Sequence, residues 1–128
     1  VYTCKVVSFN WNIPMSKFKP GQIISHKLFH YRGVILNVDA TFQLTDEWYE
    51  FMAKSKPSKN KPWYHVLVND ETHMTYVAER NILPDHTGEI INHPLVPVYF
   101  TEIVANKYER NLNWDGDEPV PVENIGIA

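Results

Sequence analysis

The chain has one cysteine, Cys4, so it cannot close an internal disulfide or supply the paired thiolates of a structural zinc site, and it suits a reducing compartment. No apolar run approaches the roughly 18 to 20 residues that a membrane-spanning helix needs. The first residues also lack the charged, apolar and small-residue regions of a secretory signal. The expectation is a cytoplasmic protein without a membrane partner. The sequence contains no H-E-x-x-H, G-x-S-x-G, Walker loop or G-x-G-x-x-G, which removes the recognisable hydrolase and nucleotide-binding classes. No internal repeat is present.

Six histidines raise the question of a metal, and His26 and His30 come closest to a ligand pair at i, i+4. That spacing converges on a helix, whereas SHKLFHYRG lies between expected strands, where an extended chain separates such residues by over about 13 Å. No metal is expected. Asp39 with Glu47 would be one acid–base pairing, but nothing distinguishes these carboxylates from solvated surface groups. Cys4 has no histidine beside it in sequence and reads as an incidental or buried thiol rather than a nucleophile. The sequence therefore offers no catalytic residues and implies no cofactor; the expectation is a non-enzyme.

What is present is enough apolar material for one core: 128 residues, 44% of them hydrophobic. The formal net charge of −3 hides an asymmetry. Residues 17 to 61 carry eight Lys or Arg against four Asp or Glu, and residues 62 to 128 carry three against eleven. A polyanion would be drawn to the middle and repelled by the tail.

Three regions follow from composition. Residues 1–14 hold an edge-strand candidate, CKVVSF, broken at Pro14, and Met15 begins a stretch with the look of a start, so this segment reads either as an upstream extension or as the product of an alternative start. Residues 15–110 form the domain. Residues 111–128, NLNWDGDEPVPVENIGIA, are acidic and rich in Pro and Gly, the composition of a mobile tail. Within the domain, Pro20-Gly21 marks a turn, and QIISHK and RGVILNVDA read as strands, with Val34, Leu36 and Val38 on one face and Ile35 on the other. In TDEWYEFMAKS, Thr45 can cap a short helix with Asp46 and Glu47 in its first turn and Trp48, Phe51 and Met52 along its apolar side. Pro57 and Pro62 prevent its continuation. PWYHVLV and HMTYVAE form a hairpin around NDET, with Trp63, His65 and Leu67 on one face and Tyr64, Val66 and Val68 on the other. In NHPLVPVYF, Pro94 and Pro97 rule out a central strand and leave a helical turn or a wrapping segment.

The candidate binding residues are cations and aromatics. KSKPSKNK places Lys54, Lys56, Lys59 and Lys61 in eight residues without an acid, a pattern equally suited to a solvated loop and to phosphate contacts. Lys17, Lys19 and Arg32 extend such a patch if the fold brings them to one side. Trp63, Tyr64 and His65 stand at a strand start, where rings either close a core or stack on a base or partner.

KFKPGQIISHKLFHYRGVI, DATFQLTDEW, PWYHVLV, TYVAERNILPD and the later His93-Pro94 together resemble the hemimethylated-DNA-binding YccV/HspQ family across about residues 15–110. The resemblance implies a mainly β fold, a small SH3-like β-barrel with one or two short helices, and no catalytic activity or cofactor. It also implies two roles: binding DNA methylated on one strand, and acting in the heat-shock and stress response as an adaptor or specificity-enhancing factor for an ATP-dependent protease such as Lon. No residue-level motif for methyl recognition carries over, so the site residues rest on charge and aromaticity. An open sheet edge also leaves a homo-oligomer available.

Overall fold

The computed structural model describes residues 16–105 and 107–111, together with the backbone of 125–126. In chain order they form β1 (Ile23–His26), β2 (Arg32–Asp39), α1 (Asp46–Met52), β3 (Trp63–Val68), β4 (Met74–Ala78), a 3-10 turn (Glu79–Asn81), β5 (Ile82–Pro84), α2 (Val96–Tyr99), β6 (Phe100–Val104), β7 (Lys107–Arg110) and β8 (Ile125–Gly126). The expected mainly β class with two short helices is what the chain adopts. Residues 1–14 lie outside the described residues, and so does most of the tail; the backbone of Ile125–Gly126, however, pairs with β4.

The main sheet has the order β5-β1-β2-β3-β4-β8, and β6-β7 is a separate hairpin. All neighbours are antiparallel except β4 and β8. The two ends of the sheet are not hydrogen-bonded to each other, so it does not close into a barrel. The chain turns from β4 into β5 at the 3-10 turn and crosses to the far side of β1, pairing Ile24 with Pro84 and His26 with Ile82.

Alternation in β3 and β4 divides the core into two clusters. Trp63, Leu67, Met74, Tyr76 and Ala78 join Val34, Leu36 and Ile23 on one face, which α1, α2 and the β6-β7 hairpin help to cover. Tyr64, Val66 and Val77 join Ile24, Ile35, Ile82 and Phe18 on the other. The hairpin faces expected from the sequence are the observed ones. In β2 the expectation fails at one position. A bulge between Ile35 and Asn37 shifts the register, so that Val38 joins the Ile35 face instead of following Val34 and Leu36. Gly33 permits the close approach of β2 and β3 just before the bulge, since a Cβ there would lie 2.6 Å from the Leu67 carbonyl oxygen.

Helix α1 starts as expected, with Thr45 Oγ1 accepting from the Trp48 amide at 3.1 Å and Asp46 and Glu47 in the first turn. Its packed side is Trp48, Tyr49 and Met52; Phe51 is 73% exposed, against expectation. Two turns of helix offer only a narrow contact stripe, and Tyr49 fills the place assigned to Phe51. NHPLVPVYF supplies the short α2, and the β6-β7 hairpin beyond it carried no clear alternation in the sequence.

The loop from His26 to Tyr31 is a turn that reverses β1 into β2, not extended chain. His26 Nδ1 accepts from the Leu28 and Phe29 amides at 3.0 and 3.1 Å, and His30 takes a positive φ of 65°. His26 is buried while His30 is exposed. Among the described residues no group of three His, Cys, Asp or Glu is placed to hold a metal ion. None of the described helices is long and apolar enough to cross a membrane.

Candidate nucleic-acid interface

The lysine segment 54–61 is shaped by aromatic donors beneath it. Trp63 Nε1 donates to the Ser58 carbonyl at 3.0 Å, and the Tyr49 hydroxyl donates to the Pro57 carbonyl at 2.7 Å. The Phe42 amide adds a bond to the Lys59 carbonyl at 2.9 Å. Satisfying these carbonyls from the core side fixes the path of the loop and sorts its four lysines into two classes.

Lys56 and Lys59 are spoken for. Lys56 Nζ lies 2.8 Å from Glu50 Oε1, and Lys59 Nζ lies 2.8 Å from Asp46 Oδ1. Lys59 also sits 4.4 Å from the centre of the Tyr49 ring. The hydrogen bond and charge of Lys59 hold the Asp46 carboxyl below its ordinary range, and Lys56 does the same for Glu50. The carboxylates of α1 thus neutralise half of the run. Lys54 and Lys61 point to solvent.

Lys61 faces a cleft of about 340 Å³ whose other cations are Lys17 and Arg80. Pro57 and Ala78, both buried, form its floor, and Ser58 and Glu79 complete the lining. The assembly follows from the β3–β4 register. Trp63 pairs with Ala78, so the residues after Ala78 emerge beside those before Trp63, and the Glu79 amide bonds to the Pro62 carbonyl at 3.1 Å. Arg80 is held by a bond from Nη2 to the Ser55 carbonyl.

Lys17 arrives from the other end of the domain and is anchored by one carboxylate oxygen. Glu79 Oε2 accepts from the Lys17 amide at 2.8 Å and from the Tyr64 hydroxyl at 2.6 Å. The same hydroxyl accepts from the Phe18 amide at 3.3 Å, and the Phe18 and Tyr64 rings meet edge to face at 5.9 Å. Burial, reinforced by the bond to Glu79, keeps the Tyr64 phenol protonated far above its ordinary range. The geometry therefore yields three cations around a cleft against one carboxylate that is already engaged from inside.

The other sequence candidates go elsewhere. Arg32 forms a two-pronged pair with Asp85, at 2.9 Å from Nε and 3.3 Å from Nη2, and its Nη2 also reaches the Glu89 carbonyl. That arrangement ties β2 to the chain after β5 and neutralises the guanidinium. Lys19 folds back so that Nζ donates to Ser16 Oγ at 3.0 Å and its carbonyl at 3.2 Å. Trp63, Tyr64 and His65 are 0%, 0% and 3% exposed, which corrects their placement as groove contacts: these rings have no free surface to offer a base. His65 instead meets Asp39 at 3.2 Å and lies tilted against the ring of Tyr76, whose hydroxyl donates to Asp39 at 2.6 Å. Asp39 is thus a core acceptor, whereas Glu47 is exposed on α1, so the two do not form an acid–base pair.

Arg80 and Glu79 were absent from the sequence candidates. The hairpin register that was legible there would have found them, because any residue following the strand partner of Trp63 must emerge next to Lys61.

A small β domain bearing a cleft with three cations is, as a class, a module with a surface suited to anionic ligands. The family model described as "Hemimethylated DNA-binding protein YccV like" matches residues 16–107, most of the chain. The chain belongs to this YccV-like family.

Proposed function

We propose that this protein is a non-catalytic DNA-binding module, and that its phosphate contacts come from the Lys17–Lys61–Arg80 cleft rather than from the lysine loop as a whole. The observation that carries this reading is the convergence of those three side chains from separate segments onto one cleft while Lys56, Lys59 and Arg32 are neutralised by carboxylates. Free cations release counterions on meeting a phosphate backbone; cations already paired gain little. Preference for duplexes methylated on one strand is the finer part of the proposal and rests on family membership. On this reading the protein works in the cytoplasm, as its single cysteine favours.

An SH3-like arrangement, an open barrel whose end strands do not pair, belongs to the same reading. Its support is the 3-10 turn that carries β5 across to β1, and a second core cluster of strand residues sealed by Phe18 rather than by a helix.

Salt-dependent titration of duplex DNA tests the placement. Replacing Lys17, Lys61 and Arg80 together by Gln should remove most of the affinity and flatten the log–log salt slope by roughly 2 to 3. Replacing Lys56 and Lys59 by Gln should change both quantities little. The reverse pattern would return the contact to the loop.

A second reading, a protein-interaction adaptor for an ATP-dependent protease, draws on a different place. The His26-centred turn holds Leu28 and Phe29 47% and 46% exposed in a fixed conformation, a low-entropy apolar contact of the kind partner proteins use. A pull-down with Leu28 and Phe29 replaced by Ser separates this role from the cleft.

A further inference from the structure

The cleft contains a carboxylate that a site for bare phosphate does not need. Glu79 lines the same cavity as Lys17, Lys61 and Arg80, and the hydrogen bonds that fix it all fall on Oε2, from the Tyr64 hydroxyl and the Lys17 amide. A carboxylate oxygen has lone pairs for several donors, so a side chain pinned through Oε2 still presents Oε1 as an acceptor in a fixed orientation. Pro57 and Ala78, both buried, form only the floor beneath it. Cations for a phosphate with one oriented acceptor among them are what distinguish a site for a nucleotide unit from a site for an inorganic anion.

We propose that Glu79 makes this cleft selective for a nucleotide whose base edge presents an exocyclic amine, with the amine donating to Oε1 while Lys17, Lys61 and Arg80 hold the flanking phosphate. Carboxylate recognition of the cytosine N4 amine is chemically favourable, and a carbonyl oxygen in the same place would face the carboxylate as one acceptor to another. This inference rests on the DNA-binding reading and adds base selectivity to it. Glu79 is also a positioning residue, because its Oε2 bond sets where Lys17 enters the cleft.

Single-stranded oligo(dC) and oligo(dU) are the first pair of probes, since the bases differ only at positions 3 and 4: cytosine has a bare N3 and an amine, uracil an N3–H and a carbonyl. At neutral pH and fixed salt, the full chain should bind oligo(dC) about fivefold or more tightly than oligo(dU). Glu79→Gln should erase or reverse that preference, because the amide oxygen can keep the bonds from Tyr64 and Lys17 while its NH₂ group turns to the cleft. Should Glu79→Gln fail to fold, oligonucleotides of N4,N4-dimethylcytosine supply the same test on the unaltered protein: losing both donors should reduce binding to the oligo(dU) level. Equal binding of oligo(dC) and oligo(dU), or a dC preference that survives either change, would overturn this inference and leave the DNA reading intact. Absence of binding to both oligonucleotides and to duplex DNA would overturn both.

Discussion

The Tyr64 hydroxyl donates a 2.6 Å hydrogen bond to Glu79 Oε2, joining the buried middle of the sheet to the rim of the cationic cleft. Through it, a core residue on β3 determines where the arm carrying Lys17 lies.

Tyr64→Phe deletes the donor to Glu79 and the acceptor for the Phe18 amide while keeping the ring. The expected cost is about 1 to 2 kcal/mol, read as a lower midpoint in urea or thermal unfolding. DNA affinity should fall as well, with Lys17 no longer fixed. An unchanged midpoint together with unchanged affinity would show that the hydroxyl does not organise the arm.

Alkaline pH should expose the same contact. Burial pushes the phenols of Tyr31 and Tyr64 well above their ordinary value near 10, so the folded state keeps these protons after the unfolded chain has released its own. Their contribution is fully present below about pH 10 and is lost as pH rises toward the folded-state values. Denaturant unfolding followed from pH 8 to 11 should show stability falling above about pH 10. The Tyr31→Phe, Tyr64→Phe double variant should show a shallower decline; identical slopes would contradict the assignment.

Trp63 and Lys54 separate core from surface at the lysine loop. Trp63→Ala should destabilise by about 3 to 5 kcal/mol and release the Ser58 carbonyl that Trp63 Nε1 now satisfies. Lys54→Gln should leave stability within about 0.5 kcal/mol. Circular dichroism melts of the two variants check the contrast, and a mild effect at Trp63 would contradict its role as the floor of the loop.

Those outcomes also indicate which features a sequence can carry. The β3–β4 hairpin was legible because period-two alternation survives in both strands, and α1 was legible from Thr45 and the acids behind it. The Val38 face was misplaced because a one-residue bulge leaves no mark in the pattern of apolar residues yet inverts every side chain after it. The site was only half legible. Lys17 and Lys61 could be named as cations, but whether a lysine is free depends on carboxylates such as Asp46 and Glu50 that a short helix brings opposite them. Trp63, Tyr64 and His65 stay open in the sequence between core and binding surface, because nothing there distinguishes a ring that closes a core from one that faces solvent.

The most direct test of the central claim compares fluorescence anisotropy of duplexes identical except for methylation on neither, one or both strands, titrated with this protein over a range of salt. The account expects tighter binding of the singly methylated duplex, persisting near physiological salt and weakened when Lys17, Lys61 and Arg80 are replaced. Equal, weak binding of all three duplexes that disappears as salt rises would contradict it, leaving only the attraction of a cationic cleft for any polyanion.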